Sequence, residues 1–178
     1  MSNEGGASRQ RELYDEALRE SGSALDRLAC GYEANPEKRR DLRQEIHLQL
    51  WRSLAGFDGR CSLKTWSFRV AHNAAASYVG RERRANAQLV SLEELERMAP
   101  QPAREAELLD QQRALERLQQ LILRLKPVDR QIILSYLEGM DAATIAEITG
   151  LSAANVAMKI HRIKRVLAKH YSEEQQHV

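Results

Sequence analysis

The 178 residues are 43% hydrophobic but only 5% aromatic, with nine glycines and four prolines. Strand-forming aromatics and turn glycines are scarce, which argues against a β-rich fold and for an all-α one. A net charge of +2 excludes little by itself, but no run approaches membrane-span length and the polar start (MSNEGGASRQ) has no apolar leader core, so a cytoplasmic protein is expected. Cys30 and Cys61 stand in no Cys-x-x-Cys or Cys/His spacing, which predicts two reduced thiols, no metal site and no cofactor.

Taken in chain order, Met1–Ser8 reads as a disordered lead-in. Leu13, Ala17, Leu25 and Leu28 then recur at helical spacing to about Cys30, with a break expected near Ser21–Ser23. Asn35-Pro36 marks a turn with Pro36 opening the next helix. Leu42, Ile46, Leu50 and Leu54 repeat every four residues, so an amphipathic helix ends near Leu54 with Arg40, Asp41, Arg43, Gln44, Glu45 and His47 on its polar side. Gly56–Arg60 is a loop by composition. Ser62 can cap a helix to about Tyr78, with Leu63, Trp66, Val70 and Ala74 inward and Arg81–Arg84 at its end. Residues 9–84 therefore form a first helical domain.

Residues 85–107 read as a linker, with Pro100, Pro102 and a Ser91-x-x-Glu94 capping box. Leu108, Leu115, Leu118, Ile122 and Leu125 define a long helix that stops before Pro127. Val128–Glu138 is the next helix, closed by Gly139. Asp141 then caps a short helix over Ala142–Thr149, Gly150 ends it in a conformation with positive φ, and Ser152 caps a long basic helix. Ile145, Ile148, Leu151, Val156, Ile160, Ile163 and Leu167 would close these two helices on each other. The second domain, residues 108–171, is thus a helix-turn-helix, a DNA-reading unit.

Charge distribution supports a polyanionic partner. Gly59–Arg84 holds six Lys/Arg against one Glu, and Asn155–His170 holds five against no acid. The segment Glu93–Asp110 between them has six acids and two arginines. Two basic patches with an acidic spacer suit two contacts on one polyanion.

These residues resemble a family. Asp41-Leu42-x-Gln44-Glu45, continuing to Leu50-Trp51, is similar to the helix by which sigma-70 factors dock on core RNA polymerase. Thr65–Asn73 resembles the promoter-opening helix that follows. Leu125-Lys126-Pro127, Ile145–Gly150 and Val156–Arg165 resemble the promoter-binding domain at the C-terminal end. With two domains and a short linker, the chain is identified as a member of the extracytoplasmic-function group, and two small helical domains are the fold this implies.

The resemblance implies a factor that binds core RNA polymerase and promoter DNA, recognises minus-10 and minus-35 elements and helps open the duplex, with no enzymatic chemistry. It implies polymerase contacts at Asp41, Gln44, Glu45 and Gln49. Minus-10 contacts would be Asp58, Arg60, Lys64, Arg69, His72, Asn73 and Arg81. Relatives commonly carry arginine where this chain has His72. Trp66 suits either the core or a base, and Phe68 and Tyr78 are further stacking candidates. Minus-35 contacts would be Ser152, Asn155, Lys159, Arg162, Lys164 and Arg165, with Asn155 suited to adenine and Lys159 and Arg162 to guanine or phosphate. Ala142, Ala143 and Ala157 stand where polar residues are usual in relatives, which implies a modest minus-35 contact or one that leans on shape and phosphates. Relatives are often held by an anti-sigma factor wedged between the domains, though no feature of this chain demands one. A stand-alone helix-turn-helix regulator would explain the C-terminal half and leave the first domain unused.

Overall fold

The computed structural model describes residues 2–82, 97 and 110–172. Regular structure among them is helical: α1 (Ser2–Tyr32), α2 (Pro36–Leu54), α3 (Leu63–Glu82), α4 (Asp110–Arg124), α5 (Pro127–Leu137), α6 (Ala142–Thr149) and α7 (Ala153–Ser172). The all-α expectation is borne out. The Ser91 capping box lies outside the described residues.

Local chemistry sets most of the helix ends. Asn35 accepts from the amides of Glu37 and Lys38 at 2.9 and 3.1 Å, with Pro36 at the first helical position. Ser62 Oγ accepts from the Thr65 amide at 3.0 Å and starts α3. Asp141 accepts from the Thr144 amide at 2.8 Å, and this bond holds its carboxyl below the usual range. Gly150 ends α6 at φ 74°, where a side chain would be strained, and its amide donates to Ala146 O. Ser152 Oγ then accepts from Asn155 N at 3.3 Å.

α1 corrects two expectations. It begins at Ser2, inside the segment read as a disordered lead-in, and it passes unbroken through Ser21-Gly22-Ser23. Helix propensity at that tripeptide is poor, but Ala17, Ala24, Leu25 and Leu28 on either side are buried against α2 and α3. Tertiary packing outweighs a propensity deficit of about 1 kcal/mol per residue. One trace of the conflict remains, since the buried Ser21 hydroxyl has no hydrogen-bond partner.

Leu42, Ile46, Leu50 and Leu54 of α2 and Phe68, Ala71, Ala74 and Ala75 of α3 complete that part of the core. Ile145, Ile148, Val156, Ile160, Ile163 and Leu167 are buried between α5, α6 and α7, as their spacing predicts. Arg130, only 2% exposed, donates to the carbonyls of Ile122 (3.1 Å), Leu123 and Leu125 (3.0 Å). It thereby closes the C-terminal end of α4, whose last carbonyls have no helical donors.

The two sets of helices are clasped together, which separate sequence motifs do not announce. α1 and α3 pack against α4, α5 and α6. At Gly31 a Cβ would come within 2.6 Å of Leu134, so the glycine lets α1 approach α5. Gln119 donates to Cys30 O at 2.8 Å, and Arg27 grips Glu138 with two bonds of 2.7 and 2.6 Å. The Arg130 guanidinium lies 5.1 Å from the Tyr32 ring centre.

Candidate nucleic-acid and polymerase interfaces

All four residues expected at the polymerase lie on α2. Asp41 and Gln44 are exposed, Glu45 is half-buried, and Glu45 Oε1 accepts from Gln49 Nε2 at 2.9 Å. Leu48, four residues beyond Gln44, is 42% exposed on the same face. It was missed by sequence reasoning, although its spacing from Asp41 and Gln44 was available to find it. The opposite face of α2 is committed to α1, through Arg43–Asp26 at 2.7 Å and His47–Tyr14 at 2.9 Å.

The loop between α2 and α3 holds its own charges together. Arg60 donates through Nε to Asp58 Oδ2 at 2.5 Å and through its amide to Oδ1 at 3.2 Å. These bonds hold the Asp58 carboxyl below its ordinary range. Gly59 between them has φ 77°. Lys64 is exposed, and so are Asn73 and Arg81 farther along α3. Arg69, Asn73 and Arg81 fall at multiples of four and share a face.

Trp66 is half-buried: its indole donates to Ser53 Oγ at 3.0 Å and its ring meets Phe57 edge-on at 5.3 Å. The Arg69 guanidinium sits 4.7 Å above that ring. Tyr78 reaches Lys38 O at 3.2 Å. Phe68 is fully buried, which removes it as a stacking surface in this arrangement.

His72, expected at the minus-10 element, is enclosed in this arrangement. It is 1% exposed, with Nδ1 hydrogen-bonded to Tyr32 Oη and Nε2 to Ser135 Oγ, both at 3.0 Å. A neutral imidazole has one donor and one acceptor nitrogen, and two hydroxyls satisfy either tautomer. A permanently charged arginine could not be sealed there on the same terms. Burial pushes the His72 pKa down to about 3 and the Tyr32 phenol up.

The unfolded chain therefore protonates first, near the ordinary 6.5. The contribution is complete above that value and is lost as pH falls towards about 3. Urea unfolding at pH 7 and pH 5 should show roughly 2 kcal/mol more loss for the wild type than for His72→Gln. Equal losses would mean that the imidazole does not stay neutral in the fold.

On α7, Ser152 and Asn155 stand at the start, and Lys164 and Arg165 are exposed. Lys164 also reaches Tyr136 Oη at 3.2 Å. Arg162 is half-buried. Lys159, expected on guanine or phosphate, lies 2.7 Å from Asp129 Oδ1, with side chains 32% and 9% exposed. That ion pair joins α7 to α5, so the structure gives Lys159 an internal role that sequence reasoning missed.

A helix-turn-helix beside a helical unit with an exposed basic face matches two models of one family. Sigma-70 region 2 matches residues 18–85, and Sigma-70, region 4 matches residues 115–167. The chain belongs to the sigma-70 family. It is similar to RNA polymerase sigma factor YlaC of Bacillus subtilis (strain 168), 27% identical over 143 residues that cover 79% of this chain and 81% of that one. It is also similar to ECF RNA polymerase sigma factor SigE of Mycolicibacterium smegmatis (strain ATCC 700084 / mc(2)155), 26% identical over 168 residues, 92% of this chain and 65% of that one. A solved structure of CnrH in complex with the cytosolic domain of CnrY has the same fold. It superposes with a TM-score of 0.61 at 18% identity, covering 92% of this chain and 90% of that one.

The protein is thus a sigma factor of the sigma-70 family, which binds core RNA polymerase and directs it to promoter DNA. Among the described residues no helix is long and apolar enough to cross a membrane, and no cluster of three or more His, Cys, Asp or Glu is placed to hold a metal.

Proposed function

We propose that residues 9–84 form the unit that docks on polymerase and holds the minus-10 element, and that residues 108–171 form the unit that reads the minus-35 element. The observation that carries this division is the exposed stripe Asp41, Gln44 and Leu48 on α2, separate from the basic ridge of α3 and from α7. Lys64, Arg69, Asn73 and Arg81 follow the displaced strand, with the Asp58–Arg60 loop at its edge. Ser152, Asn155, Arg162, Lys164 and Arg165 face the upstream duplex. Duplex opening would be driven by binding alone, since capture of an extruded base offsets an unstacking cost of a few kcal/mol.

No enzymatic role is assigned. A cleft of about 410 Å³ is lined by Ala34, Arg39, Glu116, Arg117, Gln119 and Gln120, which supply no nucleophile and base pair. The cytoplasm is the compartment in which such a factor would meet its polymerase. A partner comparable to that held by CnrH would keep this sigma factor silent.

Occupying both elements at once requires the clasp to open. Elements about 25 base pairs apart lie about 85 Å apart along B-DNA. α1, the longest helix, is only about 46 Å long. Separation would break His72–Ser135 and Arg27–Glu138 and leave the helix-turn-helix intact.

The reading is tested by purification with core polymerase. Retention on the core and two protected tracts on promoter DNA are expected. A single palindromic footprint without polymerase would support a stand-alone regulator instead.

A further inference from the structure

The first two turns of α7 carry an apolar outer surface. Ala153, Ala154, Ala157 and Met158 are all exposed, Met158 at 69%. Ala154 and Met158 are four residues apart with Ala157 beside them, so the three share one face. The cation nearest in sequence does not serve that face, because Lys159 is drawn to Asp129 at 2.7 Å. Farther along, Arg165 and Lys169 are exposed, and α7 has no acidic residue from end to end.

We infer that α7 selects thymine in the upstream element by packing Ala154, Ala157 and Met158 against thymine C5-methyl groups. The thymine methyl is the apolar feature of the major groove, and alanine is suited to contact it. Three small or flexible side chains let the helix backbone sit close to the base edges, and methionine adapts its unbranched chain to the step it meets. Cations in the later turns suit phosphates flanking the groove. Charge thus favours duplex DNA over an apolar partner helix as the occupant. The inference rests on the placement of α7 at the upstream element.

The test uses the full chain bound to core polymerase and a pool of duplexes randomised upstream of a fixed downstream region. Thymine is expected at two or more positions of the enriched upstream tract. Replacing those thymines by uracil removes only the methyl, and affinity should fall about fourfold for each contacted position. Met158→Ala should lose affinity on thymine DNA and show little further loss on uracil DNA. Met158→Gln should move the preference at its position towards adenine.

Thymine-free selection overturns the inference, and so does a uracil duplex bound as tightly as its parent. Unchanged selectivity in Met158→Ala does the same and would hand this face to a protein partner. If no upstream tract is enriched at all, the placement of α7 falls together with the inference. If a tract is enriched but indifferent to methyl groups, only the inference falls.

Discussion

Replacing Arg130 with methionine should cost about 3–5 kcal/mol and lower the melting temperature by about 10 °C. The guanidinium donates to three carbonyls at the end of α4 and is 2% exposed. Methionine would fill much of the volume but take that donor from the Leu123 and Leu125 carbonyls, where an unmade buried bond carries its full desolvation penalty, while Ile122 O keeps the Leu125 amide at 3.1 Å. Arg130→Lys should recover less than half of the loss, because a single ammonium cannot reproduce a planar fork aimed at several acceptors. Thermal unfolding of the three proteins decides the matter. A fall of less than about 2 °C in the methionine variant would show that the α4–α5 corner does not depend on this residue.

The second large effect concerns the machine rather than the fold. Gln44→Ala combined with Glu45→Arg should weaken binding to core polymerase by roughly tenfold to a hundredfold. Gln44 is exposed, and the one bond lost within α2, Gln49 to Glu45 at 2.9 Å, joins two half-buried side chains. Stability should therefore change by less than about 0.5 kcal/mol. The new arginine reverses the charge of a contact in which a rim carboxylate guides association, so the deficit should appear in the on-rate and shrink as salt is raised. Wild-type affinity in a variant that folds normally would move the docking face away from this part of α2.

The C-terminal half was legible almost residue by residue because its punctuation is local. Asp141, Gly150 and Ser152 each act on a backbone group within four residues, so a short window contains both the cause and the effect. Pro36 and Ser62 are equally local. α1 was harder: Ser21-Gly22-Ser23 argues for a break, and only helices elsewhere in the chain overrule it.

Legibility was lowest where one side chain does two jobs or meets a distant partner. His72 bonds a residue 63 positions away and Arg27 one 111 positions away, and no periodicity connects such pairs. Lys159 sits in a run of positive charge that reads as a phosphate contact, while its ion pair lies 30 residues back at Asp129. Charge pattern finds the basic face; it does not say which cation on that face is already spent on the fold. The apolar opening of α7 gains its meaning from the same fact, since withdrawal of Lys159 leaves Met158 as the exposed long side chain at those turns.

The most direct test of the central claim is the sequencing of transcripts made on genomic DNA by core polymerase with and without this sigma factor. New 5′ ends should appear only when the chain is present, each downstream of one shared pair of elements about 25 base pairs apart. Loss of those ends in the Gln44→Ala, Glu45→Arg variant would tie them to the α2 face. An identical set of 5′ ends with and without the chain would contradict the account.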